Sequence, residues 1–169
     1  MAIREIVTYP NPVLREQTKK VIEFGDELKK LAADMGETMY DAPGIGLAAN
    51  QIGVSLQVIV VDVTELDGEK QFVTYVNPVI SDGEGSAVDE EGCLSVIEFT
   101  SNVKRFKKIK VTAQDLDGKT VEFEAEDRFA RIIQHEVDHL RGKLFIDRIS
   151  TLKRNLYKKK LKKILNSRS

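Results

Sequence analysis

Two histidines, one glutamate and one cysteine carry the chemistry that residue type and spacing make legible. Both histidines of the chain fall in His135-Glu136-Val137-Asp138-His139. Residues four apart share a face of a helix, so both imidazoles can reach one metal ion. Glu136 stands beside that face, where a carboxylate can take a proton from water activated at the metal. On a helical wheel Ile132 falls on the metal side, and Phe129, Ile133, Val137 and Leu140 form an apolar sector around Glu136. Arg131, Gln134, Asp138 and Arg141 lie opposite, away from the side expected to be buried. A lone buried carboxylate is costly unless it is paired, protonated or close to a cation, and a bound divalent metal resolves that cost. The five-residue pattern also fits an ordinary core helix, and by itself it does not choose.

A hydrolytic zinc-type site needs three protein ligands and an open position. Beyond the motif the chain has no further His or Glu, and Asp138 and Asp147 are the carboxylates left after Glu136. A third ligand must then come from upstream. The single cysteine, Cys93 in Glu90-Glu91-Gly92-Cys93-Leu94-Ser95, is the obvious candidate. A lone cysteine is more commonly a small buried hydrophobe, which is the alternative it must be weighed against.

With these segments and Gly44-Ile45-Gly46-Leu47-Ala48-Ala49-Asn50-Gln51, the sequence resembles the peptide deformylase family, in its compact bacterial form. That family is marked by a GxGxAAxQ segment, an EGCLS segment and a QHExxHL segment, and all three occur here in the family's order. The likeness runs over about 6–150 and takes in Asn77-Pro78, Arg105 and Gly142-Lys143-Leu144-Phe145. It implies hydrolysis of the N-formyl group from the formyl-methionine of newly made polypeptides, with release of formate. It implies Cys93, His135 and His139 as metal ligands and Glu136 as general base and then acid. The backbone N–H of Leu94 and the side chain of Gln51 would be the oxyanion donors. Fe(II) is the ion the family implies, with Zn(II), Ni(II) or Co(II) able to occupy the same ligands. Gly44 and Gly46, lacking Cβ atoms, let backbone approach an extended peptide, and Ile45, Leu94 and Ile132 are candidates for the wall of a methionine pocket. Two places depart from the family: Ile97-Glu98 stands where Pro-Gly is usual, and Asp127 where Gly is common. The first puts the shape of the cleft-side loop in question. Glu90, Glu91, Arg105 and Asp138 are candidates for orienting the histidine rings, and spacing does not choose among them.

The elements that must position these residues read as α+β: antiparallel strands around a central HExxH helix, with a C-terminal helix. A short helix is expected over 11–18, with Pro12 in its first turn. A longer one should run from an N-cap at Asp26 to about Tyr40, with Leu28, Leu31, Met35 and Met39 on one side. The Val- and Ile-rich stretch 56–63 reads as a buried strand, followed by a turn at Leu66-Asp67-Gly68-Glu69 and a strand near 71–80. Strands at 107–115 and 119–126 form a hairpin through Leu116-Asp117-Gly118-Lys119. Helices follow near 127–141 and 150–165. Strands grouped in the middle argue against a repeated βαβ unit.

At 169 residues, with 31% charged and 41% apolar side chains, the chain has the profile of one globular domain. One cysteine allows no internal disulfide, and no signal-like or membrane-spanning apolar run is readable, so a cytoplasmic protein is expected. Neither membrane nor DNA is expected as a partner. The net charge of −1 hides an asymmetry. Residues 150–169 carry eight basic side chains and no acid, while residues 1–149 carry a net −9. A catalytic body over 1–149 continues into a basic helix over 150–169. Its Ile149, Leu152 and Leu156 form a stripe expected to dock on the body. Tyr157, Leu161 and Ile164 form a second stripe that would extend beyond it with Lys158–Lys163. That basic helix is a candidate for contact with the ribosome, where the implied substrate is born; a merely solvated charged face is the plainer alternative. Two rival functions remain. A general HExxH metallopeptidase would bind metal without Cys93, and a non-catalytic ribosome-associated module would be expected to have lost Glu136, Cys93 or Gln51.

Overall fold

The structure, a computed structural model, describes residues 2–168. Its centre is a five-stranded sheet in the order β1-β2-β3-β6-β7, formed by Gly46–Ala48 (β1), Val58–Asp62 (β2), Phe72–Glu84 (β3), Lys108–Gln114 (β6) and Thr120–Glu126 (β7). Ala87–Cys93 (β4) and Val96–Arg105 (β5) pair as a separate two-stranded sheet. All strand pairings within both sheets are antiparallel. The helices are Asp26–Asp41 (α1), the single turn Thr64–Asp67 (α2), Asp127–Leu140 (α3) and Thr151–Arg168 (α4). Among the described residues no helix is long and apolar enough to cross a membrane. The α+β expectation is met.

The sheet is covered on both faces, which explains the unbroken apolar run of β2. Successive side chains of a strand point to opposite faces. Ile59 and Val61 pack with Ile133, Val137 and Leu140 of α3. Val58 and Val60 pack with Leu28, Leu31, Met35 and Met39 of α1. A third apolar cluster joins Val96 and Val103 of β5 to Phe145 and Ile146 and to Tyr157 and Leu161 of α4. β3 breaks register with β6 between Val76 and Val79, where Pro78 has no N–H to give the ladder. There the Asn77 side chain brackets the backbone of Val21, accepting from its N–H at 2.8 Å and donating to its C=O at 2.9 Å.

Three local expectations change. The helix expected over 11–18 is one 3-10 turn, Pro12–Arg15, capped by the Asn11 side chain. Gly25, not Asp26, precedes α1; Asp26 lies in its first turn, where an acidic side chain suits the positive end of the helix dipole. Ile149 packs on the body as expected, but the rest of the tail docks by the stripe expected to project. Tyr157 and Leu161 are 1% and 4% exposed, whereas Leu152 and Leu156 are 70% and 58% exposed. The periodicity of α4 supports either stripe; the aromatic rings of Phe99 and Phe145 waiting on the body decide in favour of Tyr157.

Candidate metal centre

The second half of α3 is buried on all sides, because the sheet covers one face and the β4–β5 hairpin the other. Cys93 ends β4, and Leu94 follows it in the turn into β5. Sγ of Cys93 lies 3.3 Å from Nε2 of His139, which lies 3.2 Å from Nε2 of His135. All three atoms fall within 4.8 Å of one another. Metal–ligand bonds of about 2.0–2.3 Å in a tetrahedron set ligand atoms roughly 3.4–3.6 Å apart, so this cluster is close to the size of a metal site. Oε1 of Glu136 and Nδ1 of His139, both buried, have no hydrogen-bond partner among the described residues. An unpartnered buried carboxylate oxygen beside three converging electron-pair donors fits a cation and its bound water.

The carboxylate of Glu91 turns His135. It accepts from Nδ1 of His135 at 2.9 Å, and is itself held by Arg105 (2.8 and 2.9 Å) and Arg131 (2.6 Å). Burial would raise the Glu91 carboxyl, but Arg105 and His135 hold it well below the usual range. An ionised carboxylate only accepts, so Nδ1 carries the hydrogen and Nε2 faces the ligand cluster. Burial would also lower His135, yet the Cys93 sulfur and Glu91 push it well up. The field that favours a proton there is the field that favours a metal ion. His139 is pushed well down by burial and by the neighbouring His135. Burial pushes the Glu136 carboxyl up to about 7.

Among the four candidates for orienting the rings, Glu91 alone touches one. Arg105 stands behind it, and Asp138 stands behind Arg105 at 2.6 Å while also receiving Arg148. Glu90 is exposed. Asp138 and Gln134, placed by the wheel on the side away from the core, are each 7% exposed. Gln134 exchanges two hydrogen bonds with the backbone of Phe106, so a polar helix face is buried against a strand edge that satisfies it. Arg131, on that same face, was the unsuspected partner of Glu91. A guanidinium one turn before a ligand, with two glutamates before the cysteine, was its only trace in the sequence.

Gln51 sits in the 3-10 turn Ala49–Ile52 and is 1% exposed. Its Oε1 accepts from the Ala48 N–H at 2.9 Å, which leaves its NH2 to donate to Ser95 Oγ at 3.0 Å and to face Cys93 Sγ at 3.6 Å. Ser95, fully buried, passes its own hydroxyl hydrogen to the Val7 carbonyl at 2.7 Å. Asn50 donates to the His139 carbonyl at 2.5 Å, tying the same turn to the end of α3. Gly44, Ile45, Gly46, Leu94 and Ile132 join Gln51, Cys93, His135 and Glu136 around one cleft of about 700 Å³. A Cβ on Gly46 would lie 2.5 Å from Oε2 of Glu136 and 3.0 Å from Ile132, so this glycine is what lets β1 lie against α3. Both departures from the family pattern, Glu98 and Asp127, have left-handed backbones, φ 52° and 53°. A glycine at either place would take that conformation freely.

The sequence profile described as polypeptide deformylase matches residues 3–155. The chain belongs to the polypeptide deformylase family. The peptide deformylase of Desulfotalea psychrophila is 56% identical over 164 residues, which is 96% of this chain and 97% of that protein. That of Alkalilimnicola ehrlichii is 48% identical and covers 98% of this chain and 92% of its own. The crystal structure of a peptide deformylase from Legionella pneumophila superposes with a TM-score of 0.90 at 44% identity, covering 99% of both chains. The Ehrlichia chaffeensis peptide deformylase, solved in complex with actinonin, superposes at 0.89 with 34% identity over 96% of this chain and 98% of that one. This deformylase is thus a metal-binding hydrolase of translation-linked processing, and Cys93, His135 and His139 are its metal-binding triad.

Proposed function

We propose that this deformylase removes the formyl group from formyl-methionyl nascent peptides in the cytoplasm, with Glu136 as the proton carrier. The observation that carries this reading is the carboxylate of Glu136, buried, unpartnered at Oε1 and set beside the Cys93–His135–His139 cluster. A divalent metal on those three ligands supplies a Lewis acid that brings the pKa of water from about 16 towards 7. Fe(II) is the ion proposed as native, and Zn(II), Ni(II) and Co(II) suit the same mixed nitrogen and sulfur donors. Glu136 takes the proton of the attacking water as its oxygen bonds to the formyl carbon. It then hands that proton to the amine as the C–N bond breaks, leaving formate and a free methionine amino group. Burial favours the neutral form of this carboxyl and a neighbouring cation its charged form, and a carboxyl under both influences can take and return a proton near neutral pH. The Leu94 N–H and the Gln51 NH2 are the proposed donors to the oxyanion; a missing donor of this kind costs about a hundredfold or more. Gly44, Ile45 and Gly46 are proposed to flank the peptide, with Ile132 on the wall of the methionine pocket.

The test is formate release from a formyl-Met peptide by protein purified without oxygen and supplied with Fe(II) or Ni(II). The wild type should turn over and Glu136→Gln should fall to background with its metal still bound. Full activity in the variant would remove Glu136 from this role. The basic segment 150–169, which contains α4, is proposed in addition to contact the ribosome, on the strength of its eight positive side chains against a body of net −9.

A further inference from the structure

The cleft wall beyond Cys93 and Leu94 is the start of β5, where Glu98 and Phe99 line the cleft. This is also where the usual Pro-Gly is replaced by Ile97-Glu98. Proline fixes φ and glycine enters the left-handed region freely. Positions 97 and 98 carry neither, and Glu98 is held at φ 52°, a conformation that an L side chain resists. A force from outside the segment must hold it there.

α4 reaches three consecutive residues by four contacts, one of them an exposed ion pair of Arg168 with the Glu98 carboxylate at 3.7 Å. The Tyr157 hydroxyl donates to the Ile97 carbonyl at 3.1 Å, and Nζ of Lys160 donates to the Glu98 carbonyl at 2.7 Å. The Tyr157 ring stacks on Phe99 at 4.5 Å, and Phe99 stacks in turn on Phe145 at 5.9 Å. Tyr157 is 1% exposed, and burial pushes its phenol up to about 12, so it stays a neutral donor at working pH. Both hydrogen bonds go to main-chain carbonyls, so they fix the path of the backbone whatever side chains it carries. We infer that α4 belongs to the substrate-binding machinery, with Tyr157 and Lys160 as positioning residues that hold the backbone of Ile97 and Glu98 and so set Glu98 and Phe99 as the wall facing the formyl-methionyl peptide. This rests on the deformylase reading of the cleft.

Cys93 packs against the same apolar cluster as Tyr157 and Leu161. General loosening of that cluster would therefore disturb the metal ligand, whereas loss of the two donors alone would not. Tyr157→Phe and Lys160→Met keep the ring and the stem and remove only the donors. Formate release from a formyl-Met tripeptide gives KM and kcat. Calorimetric titration of the same peptide into a Glu136→Gln background gives Kd with turnover silenced. In the double variant KM and Kd should rise together by about tenfold, the scale of the hydrogen bonds removed, while kcat and metal content hold. Lys160→Arg as a single change keeps a donor at that place and should leave KM at the wild-type value. Unchanged KM and Kd would overturn the inference, as would a loss of kcat and metal with Kd intact. A shifted Kd in a protein whose wild type releases no formate would instead condemn the activity and leave the positioning standing.

Discussion

Glu91 accepts from Nδ1 of His135 while two guanidiniums hold its charge, so the ring orientation depends on a carboxylate outside the metal-binding triad. Glu91→Gln keeps the shape and removes the charge. Metal affinity should fall by about 10- to 100-fold, the usual effect of losing such a partner, read by chelator competition. Unchanged affinity would mean that packing alone orients His135. Backbone strain gives a second prediction at this scale. Glu98 and Asp127 both sit at positive φ, but aspartate tolerates that region better than glutamate. Glu98→Gly should raise stability by about 1 kcal/mol, the left-handed cost less glycine's greater chain entropy. Asp127→Gly should gain less. Urea unfolding midpoints decide it, and a reversed order would refute the strain argument.

Between elements, the decisive approach is that of β1 to α3. Gly46 stands where any Cβ would press on Glu136 and Ile132, so the strand that borders the cleft also sets the place of the proton carrier. Gly46→Ala should lower kcat by about a hundredfold, because a displacement of about an ångström in a reacting group costs that much. Gly25→Ala, at a site with no atom within 4 Å of the added carbon, is the control and should leave kcat as it was. Equal behaviour of the two variants would place the importance of Gly46 elsewhere. The β4–β5 hairpin acts in the same way from the other side. Its Glu91 and Arg105 reach α3, and its Ile97, Glu98 and Phe99 lean on α4.

Over the whole molecule, charge is divided between an acidic body and a basic C-terminal helix. Tyr157 and Leu161 turn inward to the body, Lys160 reaches the Glu98 carbonyl from an exposed position, and Lys158, Lys159, Lys162 and Lys163 are exposed. The wild type should co-sediment with ribosomes at low salt and be released as salt rises, as counterion release requires. Exchange of those four lysines for glutamine should weaken binding at every salt concentration and spare kcat on short peptides. Equal co-sedimentation of both proteins would show the charged face to be merely solvated.

Local periodicity is enough to say which residues share a face. It placed both imidazoles of His135 and His139 together, paired the strands around Gly118, gave α1 its buried side and marked the run of β2 as core. The three motifs were sufficient for the family and the metal-binding triad, since each is a short segment whose chemistry is local. What meets each face was beyond reach of the sequence. Glu91 and His135 are 44 residues apart, and Tyr157 and Ile97 are 60 apart. Nothing in their spacing singles out Glu91 from Glu90, or the Tyr157 stripe from the Leu156 stripe. Those choices, and the burial of Gln134 and Asp138, fall to tertiary structure, because only packing brings a guanidinium, a strand edge or an aromatic ring to the polar or apolar group that needs it.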